Sequence, residues 1–218
     1  MATVAFDMLG TFFTLDRARR ALDEIGAPAV ALDLWFAQTL RDAFALSHSG
    51  GYRPLEEMLR SELPRTLRSL RVKAGKPQQD AVMKAFAELD PAPGAGQACA
   101  ALTSAGWRLL ALTNGSVAST TALLTRAGLL GSFDSLLSCD QVRKTKPHPE
   151  VYAMAKKRAR GDLWLVAAHS WDVAGASRAG LRTAWIATVE PEYLGTLPVP
   201  EVSAADLADA ARAMLRAA

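Results

Sequence analysis

The 218-residue chain is half apolar and 22% charged, enough to bury a substantial core as one domain carrying a sizeable insertion. Its formal charge of +3 comes from 25 basic and 22 acidic residues interspersed along the chain, which argues against a nucleic-acid or membrane surface and suits a small anionic substrate. The opening MATVAFDMLG has no basic segment ahead of an apolar one, and no apolar run approaches the roughly 20 residues of a membrane span, so neither secretion nor membrane insertion is expected.

In chain order, the first expected strand is residues 3–6, which delivers Asp7 to its carboxyl end just ahead of a Gly10-Thr11 turn. About a hundred residues then pass without a convincing strand. That is too long for a loop in a compact fold, so the segment must carry structure of its own. Its apolar spacing is helical: residues 16–24, then 29–46 with Leu32, Trp35, Phe36, Leu40 and Phe44 recurring, then 54–63 and 78–89. Pro91, Pro93, Gly94 and Gly96 break the pattern and return the chain to the sheet. Strands follow at 107–112, weakly at 135–138, and at 163–168 and 183–187. Helical stretches lie between them, the pattern of a parallel sheet built from βα units. The Ala-rich residues 204–218 form a closing helix. The fold class is therefore α/β, with a helical cap inserted after the first strand.

Cys99 and Cys139 lie in unrelated segments without metal-ligand spacing, which argues for reduced thiols in a cytoplasmic protein. Gly94-Ala95-Gly96 follows prolines rather than a strand and lacks a third glycine at the right offset, so it is a poor dinucleotide fingerprint.

Four strand ends carry the chemistry. Asp7 follows the first strand, where ligands of open α/β sheets bind. The second ends in Thr113-Asn114-Gly115-Ser116, a hydroxyl, an amide and free backbone N–H groups suited to an anion. Lys144-Thr145-Lys146-Pro147-His148-Pro149 sets Lys146 ahead of two prolines that fix the local backbone and aim the side chain inward. Strand 163–168 leads into His169-Ser170-Trp171-Asp172, a second acid at a strand terminus. Each has an ordinary structural reading as a cap or turn, but their order, with a helical insertion after the first, is far more specific than any part.

This combination resembles the haloacid dehalogenase superfamily over essentially the whole chain. The resemblance implies a Rossmann-like parallel sheet core at residues 1–14 and 92–218 with a helical cap at 15–91. It further implies Asp7 as nucleophile, Thr113 and Asn114 as binders of the substrate anion, Lys146 as the group that neutralises and orients Asp7, and Asp172 as the residue that holds Lys146. Gly10-Thr11, the Lys146-Pro147-x-Pro149-x-x-Tyr152 spacing and Trp171-Asp172 are similar to the L-2-haloacid dehalogenases in particular, in which Tyr152 would line the site beside Lys146. The resemblance also implies a homodimer.

Most of the superfamily are magnesium phosphatases, which need a general acid two residues after the nucleophile and several carboxylates for the metal. Here the first position is Leu9, and no acid lies between Leu163 and Trp171. The chemistry left is displacement at carbon of a group stable as an anion: Asp7 expels halide from C2 of a 2-haloacid, and water hydrolyses the ester. No cofactor or metal is expected, and backbone N–H groups near Thr11 and Thr113 would bind the substrate carboxylate. Departures from the family remain. Leu9 replaces a halide-walling tyrosine, His169 an asparagine, and Ala167 a serine; His169 reads either as a base towards the hydrolytic water or as a hydrogen-bonded structural residue. Phe44 stands for a tryptophan and is expected still to wall the pocket. Aligned on Trp35, Leu40, Gly50 and Tyr52, the cap arginine falls on Leu46, with Arg41 the nearest substitute. Five helical residues rotate by about 140°, so Arg41 should point elsewhere. A hydrolase of phosphorylated or activated substrates and a catalytically silent anion binder stay open as alternatives.

Overall fold

A computed structural model describes residues 2–217. Six parallel strands form one sheet in the order β3-β2-β1-β4-β5-β6. They are β1 (Thr3–Asp7), β2 (Arg108–Thr113), β3 (Ser135–Ser138), β4 (Leu163–Ala167), β5 (Arg182–Ile186) and β6 (Val202–Ala204). The strands read as near-continuous apolar runs because helices cover both faces. The α/β reading holds, and the expected strands lie within a residue of those observed.

Period-two alternation decides what each strand residue meets. Val4 and Phe6 of β1 point to the core under α5 (Ala95–Ser104) and α9 (Leu207–Ala217). Ala5 packs on the opposite side, against α7 (Pro149–Lys156) and α8 (Ser170–Arg178). Asp7, two residues after Ala5, therefore falls on the side from which Lys146 and Asp172 enter. The chain winds outward from β1 to β3, then crosses back to β4 on the other side of β1. The crevice at that reversal, between β1 and β4, is where such sheets bind ligands.

Between β1 and β2 come α1 (Asp16–Glu24), α2 (Ala31–His48), α3 (Leu55–Ser69) and α4 (Lys76–Phe86), whose apolar faces share one cluster. The segments leading in and out run side by side: Thr14 N donates to Asp90 O at 2.9 Å and Ala92 N to Phe12 O at 2.8 Å. Sequence spacing ended α3 at residue 63, ahead of Pro64. The helix continues because Leu55, Leu59, Leu63 and Leu67 keep one stripe buried across the proline. The breaker cluster ends sooner than expected, as Gly96 lies inside α5. The closing helix starts later than expected. Residues 202–204 pair with β5 instead, and Asp206 Oδ1 accepts from Asp209 N to start α9. Ala218, in the expected closing helix, lies outside the described residues. No described helix is long and apolar enough to cross a membrane.

Helices α7 and α8 meet at Gly175, where a Cβ would lie 2.5 Å from both Pro147 Cβ and Tyr152 Oη. Gly175→Ala should cost about 1–3 kcal/mol through overpacking, read as a lowered midpoint in denaturant titration. An unchanged midpoint would show that this contact is not tight.

Candidate active site

Asp7 ends the central strand and is 4% exposed, so its two oxygens are almost wholly committed to neighbours. Oδ1 accepts from Lys146 Nζ at 2.7 Å. Oδ2 accepts from Thr11 Oγ1 at 2.5 Å and lies 3.2 Å from His169 Nδ1. Thr11 reaches back because the turn passes through Gly10 at φ +82°, and its hydroxyl in turn accepts from Ala168 N at 2.9 Å. That glycine has a second use: a Cβ there would lie 2.8 Å from His169 Cε1, so only glycine lets the imidazole rest on the loop.

Lys146 is fully buried and its three donors are all used. They go to Asp7 Oδ1, to Asp172 Oδ2 at 2.7 Å and to Leu112 O at 2.9 Å. Asn114 sets the lysine backbone, its Oδ1 accepting from Lys146 N at 2.9 Å and from Cys139 Sγ at 3.0 Å. Burial pushes the Cys139 thiol up to about 12, which keeps it a donor. Tyr152 Oη donates to Asp172 Oδ1 at 2.6 Å.

Electrostatics follow from this packing. Burial alone would raise Asp7, but Lys146, then the hydrogen bond from His169, hold it well below the carboxylate range. Burial likewise opposes the charge on Lys146, and Asp172 and Asp7 outweigh it, raising the ammonium. Asp172 is raised, chiefly by burial.

A cavity of about 980 Å³ opens between α1, α2 and the loops following β1, β4 and β5. It meets the site at Thr11 and His169, the two residues that hold Oδ2. Phe36, Leu40, Phe44 and Trp171 wall it, with Phe44 edge-on to Trp171 at a centroid distance of 5.0 Å.

Several expected site residues lie elsewhere. Tyr152 is fully buried behind Asp172 and does not border the large cavity, its hydroxyl being bonded to that carboxylate. Thr113 turns its Oγ1 to Gly115 N at 2.9 Å. Asn114 has spent its carbonyl end inward, leaving its NH₂ end as the donor. Leu9 faces away, into a separate cleft of about 110 Å³ with Leu55, Phe86 and Gly115. In the cap, Arg41 does border the cavity, at its rim and paired with Asp42 at 2.7 Å, while Leu46 lies off it against Gly51. Arg41, not position 46, is therefore the cap position that borders the cavity, beside Phe36 and Leu40.

Other parts of the site had no sequence signal. Glu190, which borders the cavity and accepts from Ser170 N at 3.1 Å, comes from an irregular loop. Ser47 Oγ, accepting from Thr145 N at 3.1 Å, joins α2 to the lysine loop across 98 residues.

A magnesium ion does not fit this donor set. Two carboxylates converge, and each already gives an oxygen to the Lys146 ammonium. Among the described residues no three His, Cys, Asp or Glu side chains are grouped to hold a metal.

The haloacid dehalogenase-like hydrolase family model matches residues 1–180. The chain belongs to that family. An (S)-2-haloacid dehalogenase of Burkholderia cepacia is 31% identical over 82% of this chain and 79% of its own length. A haloacetate dehalogenase of a Moraxella species is 29% identical over 84% of each chain. The solved structure of the Xanthobacter autotrophicus L-2-haloacid dehalogenase superposes with a TM-score of 0.87, 25% identity and 99% coverage of both chains. The chain is thus a haloacid dehalogenase-like hydrolase of the L-2-haloacid dehalogenase branch.

Because folding depresses Asp7, its charged form stabilises the native state above the unfolded carboxylate value of about 4. That contribution is lost as pH falls from there toward the folded value. Urea midpoints measured downward from neutrality should therefore converge for wild type and Asp7→Asn at acid pH. A gap that stays constant with pH would contradict the depressed carboxylate.

Proposed function

We propose that this protein is a hydrolytic dehalogenase of 2-haloacids that forms an ester on Asp7 and uses no metal. One observation carries the reading. Of the two oxygens of an ionised Asp7, one is held by a buried lysine and the other by Thr11 and His169, the residues through which the site meets an apolar cavity.

Oδ2, on the cavity side, is the attacking atom. It displaces halide from C2, and halide needs no proton to leave, which suits a site with Leu9 where a general acid would stand. Oδ1 then becomes the ester carbonyl and stays against Lys146 Nζ. When water adds to Cγ, the developing oxyanion on Oδ1 meets a charge already in place. Asp172 holds that charge, and Tyr152 holds Asp172. Thr11 fixes Oδ2 before attack.

For the substrate, backbone N–H groups near Thr11 and Thr113 and the NH₂ end of Asn114 supply donors to its carboxylate. Arg41 gives positive charge at the cavity mouth, and Phe36, Phe44 and Trp171 wall the apolar side. Buried, unpaired Cys99 and Cys139 suit a reducing, cytoplasmic setting.

Halide should appear from a panel of 2-haloacids at the same rate with and without EDTA. Asp7→Asn should release none, and Lys146→Met should lose about 10²–10³ in kcat as a removed oxyanion donor. One turnover in H₂¹⁸O should place the heavy oxygen in the peptide containing Asp7. Label appearing only in the hydroxy-acid product would exclude the ester.

A further inference from the structure

The second half of the reaction has a difficulty the first lacks. Halide departs unaided, but when the ester breaks between Cγ and Oδ2, the leaving oxygen is an alkoxide and needs a proton. Water must also lose one as it adds. The groups in contact with Asp7 differ in their capacity for this traffic. Lys146 has no acceptor and its three donors are committed. Asp172 is tied to Lys146 and Tyr152. The Thr11 hydroxyl donates to Oδ2 and accepts from Ala168 N. His169 remains, with one ring nitrogen 3.2 Å from Oδ2 and its ring bordering the cavity.

We propose that His169 is the acid and base of ester hydrolysis, delivering a proton from Nδ1 to Oδ2 as the Cγ–Oδ2 bond breaks. The assignment rests on the dehalogenase reading above. In the resting site Nδ1–H donates to the Oδ2 carboxylate, leaving the Nε2 lone pair over Gly10. Water adds to Cγ, its proton passes through solvent in the cavity to Nε2, and the negative charge gathers on Oδ1 beside Lys146. Collapse restores the carbonyl, breaks Cγ–Oδ2, and moves the Nδ1 proton onto Oδ2, giving the 2-hydroxy acid. Asp7 now carries the water oxygen as a carboxylic acid. It returns that proton to Nδ1, and Nε2 sheds its own to the cavity. The sum is haloacid plus water giving hydroxy acid, halide and one proton, with His169 back in its starting tautomer.

The surroundings suit a ring that must hold still while protons cross it. Phe36 and Trp171 flank the imidazole at centroid distances of 6.1 and 5.4 Å, tilted by 40° and 31°. Gly10 removes the Cβ that would displace it. The charged groups facing it are Asp7 with Lys146 and Asp172 behind, Glu190 on the loop after β5, and at the cavity rim Asp16 and Arg19 of α1 with Asp33 and Arg41 of α2.

The test separates the half-reactions by rapid quench and mass spectrometry of the Asp7 peptide, using 2-chloropropionate and 2-bromopropionate. In His169→Gln, an amide that donates without titrating, the ratio of ester breakdown to ester formation should fall by about 10²–10⁴-fold, so that esterified Asp7 accumulates. In the wild type, breakdown should follow an ionisation that is missing from the variant. Should the variant fold poorly, the wild-type comparison stands alone, because breakdown should show that ionisation and formation should not. An unchanged ratio in a folded His169→Gln, or a pH-independent wild-type breakdown, overturns the assignment. Wild-type protein that esterifies Asp7 with neither substrate, and releases no halide, overturns the dehalogenase reading and this assignment with it.

Discussion

A buried ammonium shared by two carboxylates is the constraint around which this molecule is arranged. Removing three charges from water costs several kcal/mol per ion unless each is fully paired and hydrogen-bonded. The fold meets that condition atom by atom: Lys146 Nζ has three acceptors, Asp7 Oδ1 and Asp172 Oδ2 face it, and hydroxyls of Thr11 and Tyr152 take the outer carboxylate oxygens. The three ions come from the end of β1, the loop before α7 and the first turn of α8. They converge only if α7 and α8 pack closely, which is why Gly175 sits between Pro147 and Tyr152. Local packing and site electrostatics are here one requirement.

The same lysine sets the chemistry open to the site. Two carboxylates at the mouth of a parallel sheet could share a divalent cation, and the superfamily resemblance raises that expectation. An ammonium between them fills the electrostatic role with a fixed charge and no open coordination position. It can orient a nucleophile and meet an oxyanion, but it cannot polarise a leaving group on the far side of the substrate. A site so built favours groups that leave as stable anions, and Leu9, turned away from the cavity, adds no proton donor to change this.

Much of this was legible in the sequence because it was carried by local signals. Apolar runs ending in Asp7, Thr113 and His169 placed the strand ends, and the lysine-proline segment placed Lys146. What the sequence concealed depends on direction and distance. Tyr152 reads as a site residue through the family resemblance, yet only its burial and its bond to Asp172 Oδ1 show that it supports that carboxylate. Register in the cap was left open for a related reason. Trp35, Leu40 and Phe44 lie on a spacing shared by two helix faces, and only packing against Trp171 and His169 shows that Phe36 and Leu40 look inward. Pro64 hid the second half of α3, because a proline's local cost outweighs a stripe of leucines in a short window but not in a packed bundle.

His169 brings these threads together. By sequence it is a substitution at a strand end with two readings, a base towards the hydrolytic water or an ordinary hydrogen-bonded residue. Its position acquires meaning through three unrelated features: a left-handed glycine at 10, an aromatic pair at 36 and 171, and a carboxylate whose other oxygen is already bound. Because Lys146 claims Oδ1, any proton transfer to Asp7 or its ester must take place on the Oδ2 side. Thr11 shares that side, but its hydroxyl is locked between a donor and an acceptor. The imidazole alone there offers a second nitrogen to the cavity. The ion triad that fixes the nucleophile therefore also fixes the side on which the hydrolytic step must be served.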